Sequence, residues 1–418
     1  MWLHVAFASL YCEKDLPMPN LILLAHVPTD AVNEGFLPAA RHLGLHVTLL
    51  TDQAEAHRRH FATQNLPAYP DSIIECDVFQ PIAVINELGS CPERPSAIFS
   101  NSDHLQTSTA LAADYFGLPG KDWKVTYRAK NKAAMRSHLR DQGVDVLWHA
   151  VVTDDDGLAG LPDVPFPCVA KPREGVGSQL VRFCEGMDAL TAHCRDIWSD
   201  DPGRAVLIED YMAGELYTLE TLGDGKDILV LGGFQVALSP PPDFVEIEGR
   251  WGDWLTAEQR DALLEQIRAV GVGFGSCHTE FVLTPKGPRI IEINYRTVGD
   301  YMEFMLEHTL DMALFEKILR LHLGEPLGRC QLADKMAAIR YFPTETAGEI
   351  ISAPEGFLRT DNSARVEYRA LRRRGERMEI TRSNKDYLGV LSVSAPDRAT
   401  LDMAMVQARA QLSWTILP

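Results

Sequence analysis

The chain has 418 residues, 46% of them hydrophobic and 23% charged. That is a globular composition with material for roughly two to four domains, and it excludes a largely disordered chain. Lys and Arg number 40 against 58 Asp and Glu, a formal charge of −18, and so acidic a surface argues against nucleic-acid or membrane-surface partners.

No apolar run reaches a membrane-spanning length. The eight cysteines form no C-x-x-C pair, which reads as scattered buried thiols in a reducing, cytoplasmic compartment rather than a zinc site or disulfide framework. Trp2 to Cys12 is apolar but has no basic stretch before it, so residues 1–17 read as an extension ahead of Met18.

Leu21–Val27 reads as a strand, Asn33–Leu43 as a helix ending near Gly44, and His46–Leu50 as a second strand. Ala97–Ser100 is another strand, and it runs into Asn101-Ser102-Asp103-His104. Strands alternating with helices predict a parallel α/β sheet. At a strand's carboxyl end those polar residues either face a cleft or cap the next helix. Gly117-Leu-Pro-Gly120 is turn chemistry that closes a first domain.

Beyond it Lys130–Gln142 reads as a helix stopped by Gly143. Strands are expected over Cys168–Lys171, Leu180–Phe183, Val206–Glu209, Leu216–Thr221 and Ile228–Val236, then a helix over Ala257–Val270 ending at Gly271. Strands at Glu280–Leu283 and Arg289–Asn294, a helical Met302–Leu323 and a final α+β stretch complete the chain. Arg250-Trp-Gly-Asp-Trp254 is either a pocket wall or a packed loop. The arginines between Arg365 and Arg377 read as a surface for an anionic substrate or partner or, in preference, as an exposed strand with solvated arginines.

Three segments carry chemistry. In Val169-Ala-Lys-Pro-Arg-Glu-Gly-Val-Gly-Ser178 a strand ends at Lys171 and a loop with Gly175, Gly177 and Ser178 follows. Such a loop either cradles phosphate with its amides or is a glycine-rich hairpin turn. It is neither a Walker A loop nor a dinucleotide fingerprint.

Around Thr284-Pro-Lys-Gly-Pro288 two strands form a hairpin. A turn centred near Lys286 sets Glu280 opposite Glu292, with Asn294 and Arg296 on the Glu292 face. Opposed carboxylates repel unless a cation separates them, and carboxylate and amide oxygens suit Mg²⁺ or Mn²⁺. Solvent-exposed glutamates in different registers are the alternative. The third segment, Glu209-Asp-Tyr-Met-Ala-Gly-Glu215, is a turn after a buried strand, able to offer backbone groups to a base and a carboxylate to ribose.

In this order the segments resemble the ATP-grasp superfamily over about Leu21 to Gly324. The resemblance implies a Rossmann-like domain over 18–120, a small lobe with lid over 121–205, a large lobe with the metal site over 206–326, and a C-terminal α+β subdomain over 327–418. It assigns Lys132 or Lys130 as first phosphate lysine and Lys171 as the second. The lid is Gly175, Gly177 and Ser178, the adenine hinge Glu209, Asp210 and Tyr211, and the ribose carboxylate Glu215. Glu280, Glu292 and Asn294 become metal ligands, and Arg296 the arginine facing the transferred phosphoryl group or a substrate carboxylate.

The implied cofactors are ATP and Mg²⁺ or Mn²⁺. The implied reaction is carboxylate–amine ligation through an acylphosphate, releasing ADP and phosphate, on small molecules of amino-acid, dipeptide, siderophore or natural-product biosynthesis. Carboxylation or phosphotransfer at the same site, and a non-catalytic nucleotide-binding regulator, are the alternatives. A dehydrogenase is disfavoured because no glycine fingerprint follows Leu21–Val27. A homodimer is the commonest assembly for such a chain.

Overall fold

The computed structural model describes residues 18–63 and 69–418, so the extension expected at 1–17 lies outside the described residues. Four parallel strands in the order Ser72–Glu75, His46–Thr51, Asn20–Leu24 and Ala97–Phe99 build the first domain. All five residues of Asn20–Leu24 are buried, as a parallel strand covered on both faces requires. The first helical stretch starts as a π-helix over Ala31–Phe36 and continues as an α-helix over Leu37–His42. Pro38, which cannot donate a hydrogen bond, sits at the change of register.

The small lobe is an antiparallel sheet in the order His149–Val152, Val206–Asp210, Cys168–Pro172 and Arg182–Cys184. Val206–Asp210 therefore belongs to the small lobe and does not open the large one. Its partners on both sides are small-lobe strands, and the chain crosses between lobes only after Asp210. Cys168 lies opposite Cys184, and Cys194 shares their core, so these three free thiols are clustered rather than scattered.

A nine-stranded sheet runs Gly287–Asn294, Phe274–Thr284, Glu215–Asp224, Ile228–Leu238, Glu246–Gly252, Met336–Pro343, Tyr387–Ala395, Ala364–Ala370 and Phe357–Asp361. The C-terminal segment thus extends the large-lobe sheet, through pairing of Met336–Pro343 with Glu246–Gly252. The whole is mixed α/β, a parallel first domain followed by antiparallel lobes.

The helix expected over Lys130–Gln142 is Lys132–Asp141, and a further helix, Trp123–Lys130, precedes it; they meet at Asn131, whose side chain caps the second by accepting from the Ala134 amide. The expected Met302–Leu323 is two helices, Met302–Leu310 and Leu314–His322, separated by Asp311 in a left-handed conformation. Arg250 pairs with Glu248 and Asp402, and Trp251 packs on Phe234. That segment is a packed strand, not a pocket wall. The first domain docks through Phe36, which touches Phe99 and Phe315. Among the described residues no helix is long and apolar enough to cross a membrane.

Candidate active site

The helix break at Asn131 sends two neighbouring lysines to different places. Lys130 turns back to the first domain, its Nζ 2.6 Å from Asp103 Oδ2. Lys132 opens the next helix and is 4% exposed. Its Nζ lies 2.9 Å from Glu292 Oε1 and donates to the Gly175 carbonyl at 2.8 Å. Burial opposes its charge, but Glu292, Asp103 and Glu280 outweigh burial and hold its pKa above the usual lysine value. Lys132, and not Lys130, joins the lid to the hairpin.

Lys171 ends its strand with Nζ 2.6 Å from Glu209 Oε2. The other oxygen of Glu209 accepts from Arg136 Nε at 2.5 Å, and Arg136 also donates to the carbonyls of Ile290 and Ile291. Burial alone would raise the Glu209 carboxyl, yet the two cations hold it at about 2. Glu209 lines the cavity, but its carboxylate is spent in this triad and is not free for a base. Sequence reasoning missed Arg136, although it stands four residues from Lys132 on one helix face.

The hairpin register sets Glu280 opposite Glu292 and His278 opposite Asn294. Asn294 donates its amide to Glu280 at 3.1 Å, and the Lys132 ammonium covers Glu292. The mutual repulsion is therefore relieved by side chains already present. Behind Glu280, His278 Nδ1 meets Glu220 Oε1 at 2.7 Å and Nε2 lies 3.5 Å from Glu280. Burial disfavours the imidazolium, but Glu220 and Glu280 raise its pKa to about 10. Burial would likewise raise Glu280, but His278, Lys132 and Lys171 hold it below the usual carboxylate value. His278 was missed because its strand starts at Phe274 rather than at Glu280; simple alternation puts the two on one face.

The donors fit a hard divalent cation. Glu280, Glu292 and Asn294 present only oxygen ligands to the same cavity. Among the described residues no three His, Cys, Asp or Glu side chains are grouped to hold a metal by themselves. A cation here would thus complete its shell with water and phosphate oxygens, the habit of Mg²⁺.

The lid lies over this ground. Lys132 holds it at Gly175, and the backbone N–H of Asn384, from the C-terminal segment, donates to the Gly177 carbonyl at 3.3 Å. Gly177 has φ 60° and Ser178 φ 55°, a left-handed turn suited to glycine. At the hinge Asp210 and Tyr211 line the cavity, but their amides are bonded to the Trp148 and Pro167 carbonyls.

Glu215 is not brought to the site. In its strand Leu216 and Thr218 face the cavity, whereas Glu215 shares the other face with Tyr217 and bonds Tyr217 Oη and Gln235. Strand alternation excludes it from the ribose position assigned to it.

One cavity of about 950 Å³ collects Lys132, Lys171, Glu280, Glu292, Asn294 and Arg296. Its far end is walled by His26, Asp103 and His104 of the first domain and by Arg372, Asn384 and Lys385 of the C-terminal segment. The polar run after Ala97–Phe99 thus does face a cleft. Arg296 donates to the Thr297 carbonyl, and the Thr297 hydroxyl bonds Asn101 of the first domain at 2.6 Å.

Residues 129–300 match the family of the ATP-grasp domain. Uncharacterized protein y4rH of Sinorhizobium fredii is 26% identical, over 97% of this chain and 85% of its own length. Carnosine synthase 1 of Gallus gallus is 27% identical over 85% of this chain, which spans only 41% of that protein. L-amino acid ligase from Bacillus licheniformis shares the fold with TM-score 0.75 at 19% identity, over 96% of this chain and 99% of that one. A site of two lysines, a glycine lid and an acidic hairpin, and a domain match that spans all three, lead to one assignment: the chain carries an ATP-grasp domain over residues 129–300.

Proposed function

We propose that the protein is an ATP-dependent carboxylate–amine ligase that forms an amide through an acylphosphate and releases ADP and phosphate. The observation that carries this reading is the placement of both lysines, the acidic hairpin and Arg296 around one cavity that also reaches the first domain and the C-terminal segment. That leaves room beyond a nucleotide for two further reactants. The similarity to proteins named carnosine synthase and L-amino acid ligase supports amino-acid substrates.

ATP with Mg²⁺ would supply the phosphoryl group and the charge that aligns it. Glu280, Glu292 and Asn294 are the residues to hold the cation. Lys132, Lys171 and Arg296 are positioned to neutralise phosphate and carboxylate charge, the main demand of phosphoryl transfer. The Arg136–Glu209 pair fixes Lys171, and the Glu220–His278 pair steadies Glu280. The lid keeps water from a reactive intermediate.

The test is the nucleotide product. With a productive pair of substrates, ADP and phosphate are expected in equal amounts, and Glu292→Gln is expected to cut turnover at least about a hundredfold, the scale of a lost charge-stabilising group. AMP and pyrophosphate as products would overturn the reading.

A further inference from the structure

One end of the cavity is acidic and has no fixed counter-ion. Glu246, Asp300 and Glu303 all line it. Among the described residues none of the three has a Lys, Arg or His within ion-pair distance. The Asn384 amide bridges two of them, donating to Glu246 Oε1 at 3.1 Å and to Asp300 Oδ2 at 3.4 Å. Glu303 is 3% exposed, and its Oε2 has no hydrogen-bond partner among the described residues. A buried carboxylate oxygen without a donor is costly unless a ligand satisfies it.

Burial first, then Glu280 and Asp300, push the Glu246 carboxyl up to about 8. Burial, with Asp300 nearby, does the same to Glu303, and the longer-range pull of Arg296 and Arg369 does not cancel it.

We propose that Glu246, Asp300 and Glu303 form a subsite for the primary ammonium group of a substrate. The cluster is matched to such a group because an ammonium needs several acceptors around it and carries the missing charge. A metal ion fits less well: it needs its oxygens at about 2.0–2.6 Å, and no three acidic side chains among the described residues are so grouped, whereas an ammonium takes acceptors at about 2.7–3.2 Å. The inference deepens the ligase reading and rests on it only for which substrate, the attacking amine or an amino-bearing acyl donor, brings the ammonium.

The experiment is isothermal titration of the full chain, with Mg²⁺ and a non-hydrolysable ATP analogue, using the common L-amino acids and L-lactate as the isostere of L-alanine without an ammonium. At least one amino acid is expected to bind, with L-lactate at least tenfold weaker than L-alanine wherever L-alanine binds. Glu303→Gln is expected to weaken that amino acid at least tenfold and leave the affinity for the nucleotide analogue within twofold. Asp300→Asn, at an exposed position, is expected to act in the same direction and covers the case in which the buried substitution does not fold.

Absence of amino-acid binding, equal binding of L-lactate and L-alanine, or no response to either substitution would overturn the subsite. So would a second Mn²⁺ seen by electron paramagnetic resonance and lost in Glu303→Gln. In turnover, the donor whose KM rises identifies the source of the ammonium. Intact amino-acid binding in a chain that yields AMP would sink the ligase reading and spare the subsite.

Discussion

Lys171, Glu209 and Arg136 share one buried carboxylate between two cations, and neither cation can be removed without exposing the others' charges. Taking away one partner of a buried ion pair costs about 3–5 kcal/mol, because the remaining charge stays desolvated. Arg136→Met is therefore expected to lose stability of that order in urea unfolding at neutral pH, and a loss below about 1 kcal/mol would show that the triad is not what fixes Lys171.

The pH dependence has a definite sign. The folded Glu209 carboxyl sits at about 2 against an ordinary 4.5, so the unfolded chain takes up a proton first as pH falls. Its contribution, on the order of 3 kcal/mol, is complete above about pH 4.5 and drains away toward pH 2. Glu209→Gln should flatten the stability profile across that window.

At the scale of elements, the lid is tied at Gly175 to Lys132 and at Gly177 to Asn384. Gly177 has open space where a side chain would go, so the cost of Gly177→Val is in the backbone, about 1–2 kcal/mol at a left-handed φ and more for a β-branched residue. Turnover should fall roughly tenfold or more for that cost, with the melting temperature little changed. A non-hydrolysable ATP analogue should slow hydrogen exchange across residues 172–179. Equal protection with and without the analogue would mean that the segment is only a rigid turn.

Local signals made some elements legible. The helix Ala257–Val270 has a Thr256–Gln259 capping box and stops at Gly271 in a left-handed conformation. The turn at Thr284 to Gly287 made the acidic hairpin legible, but its register alone would set Glu280 opposite Ile291; a β-bulge between Glu280 and Phe281 brings Glu280 opposite Glu292. Non-local facts were not legible. The strand Glu246–Gly252 alternates Glu246, Glu248 and Arg250 with Ile247, Gly249 and Trp251, but three prolines precede it and two glycines weaken it, so Glu246 went unseen. Asn384 reaches the site from a short turn far along the chain, where nothing local marks it. Glu215 failed because a turn's proximity says nothing about which strand face a side chain takes.

At the scale of the molecule, the first domain is seated by close packing. A Cβ on Gly35 would come 2.4 Å from Phe315 Cε1, a distance that forces either the aromatic ring or the π-helical segment to move. Gly35→Val is expected to cost about 1–3 kcal/mol, the range for overpacking. Scanning calorimetry should show it as a lower melting temperature, and an unchanged midpoint would mean that the domain docks elsewhere.

The sheet that continues from Glu246–Gly252 into Met336–Pro343 bears on how such proteins can be recombined. A chain cut after residue 326 would uncover the backbone edge of Glu246–Gly252, an invitation to aggregate. It would also strip Arg372, Asn384 and Lys385 from the cavity wall. Chimeras that trade substrate preference must therefore inherit the two halves of this sheet together. Recombination at the junction between the first domain and the helix opening at Trp123 would leave every strand pair of the large sheet intact.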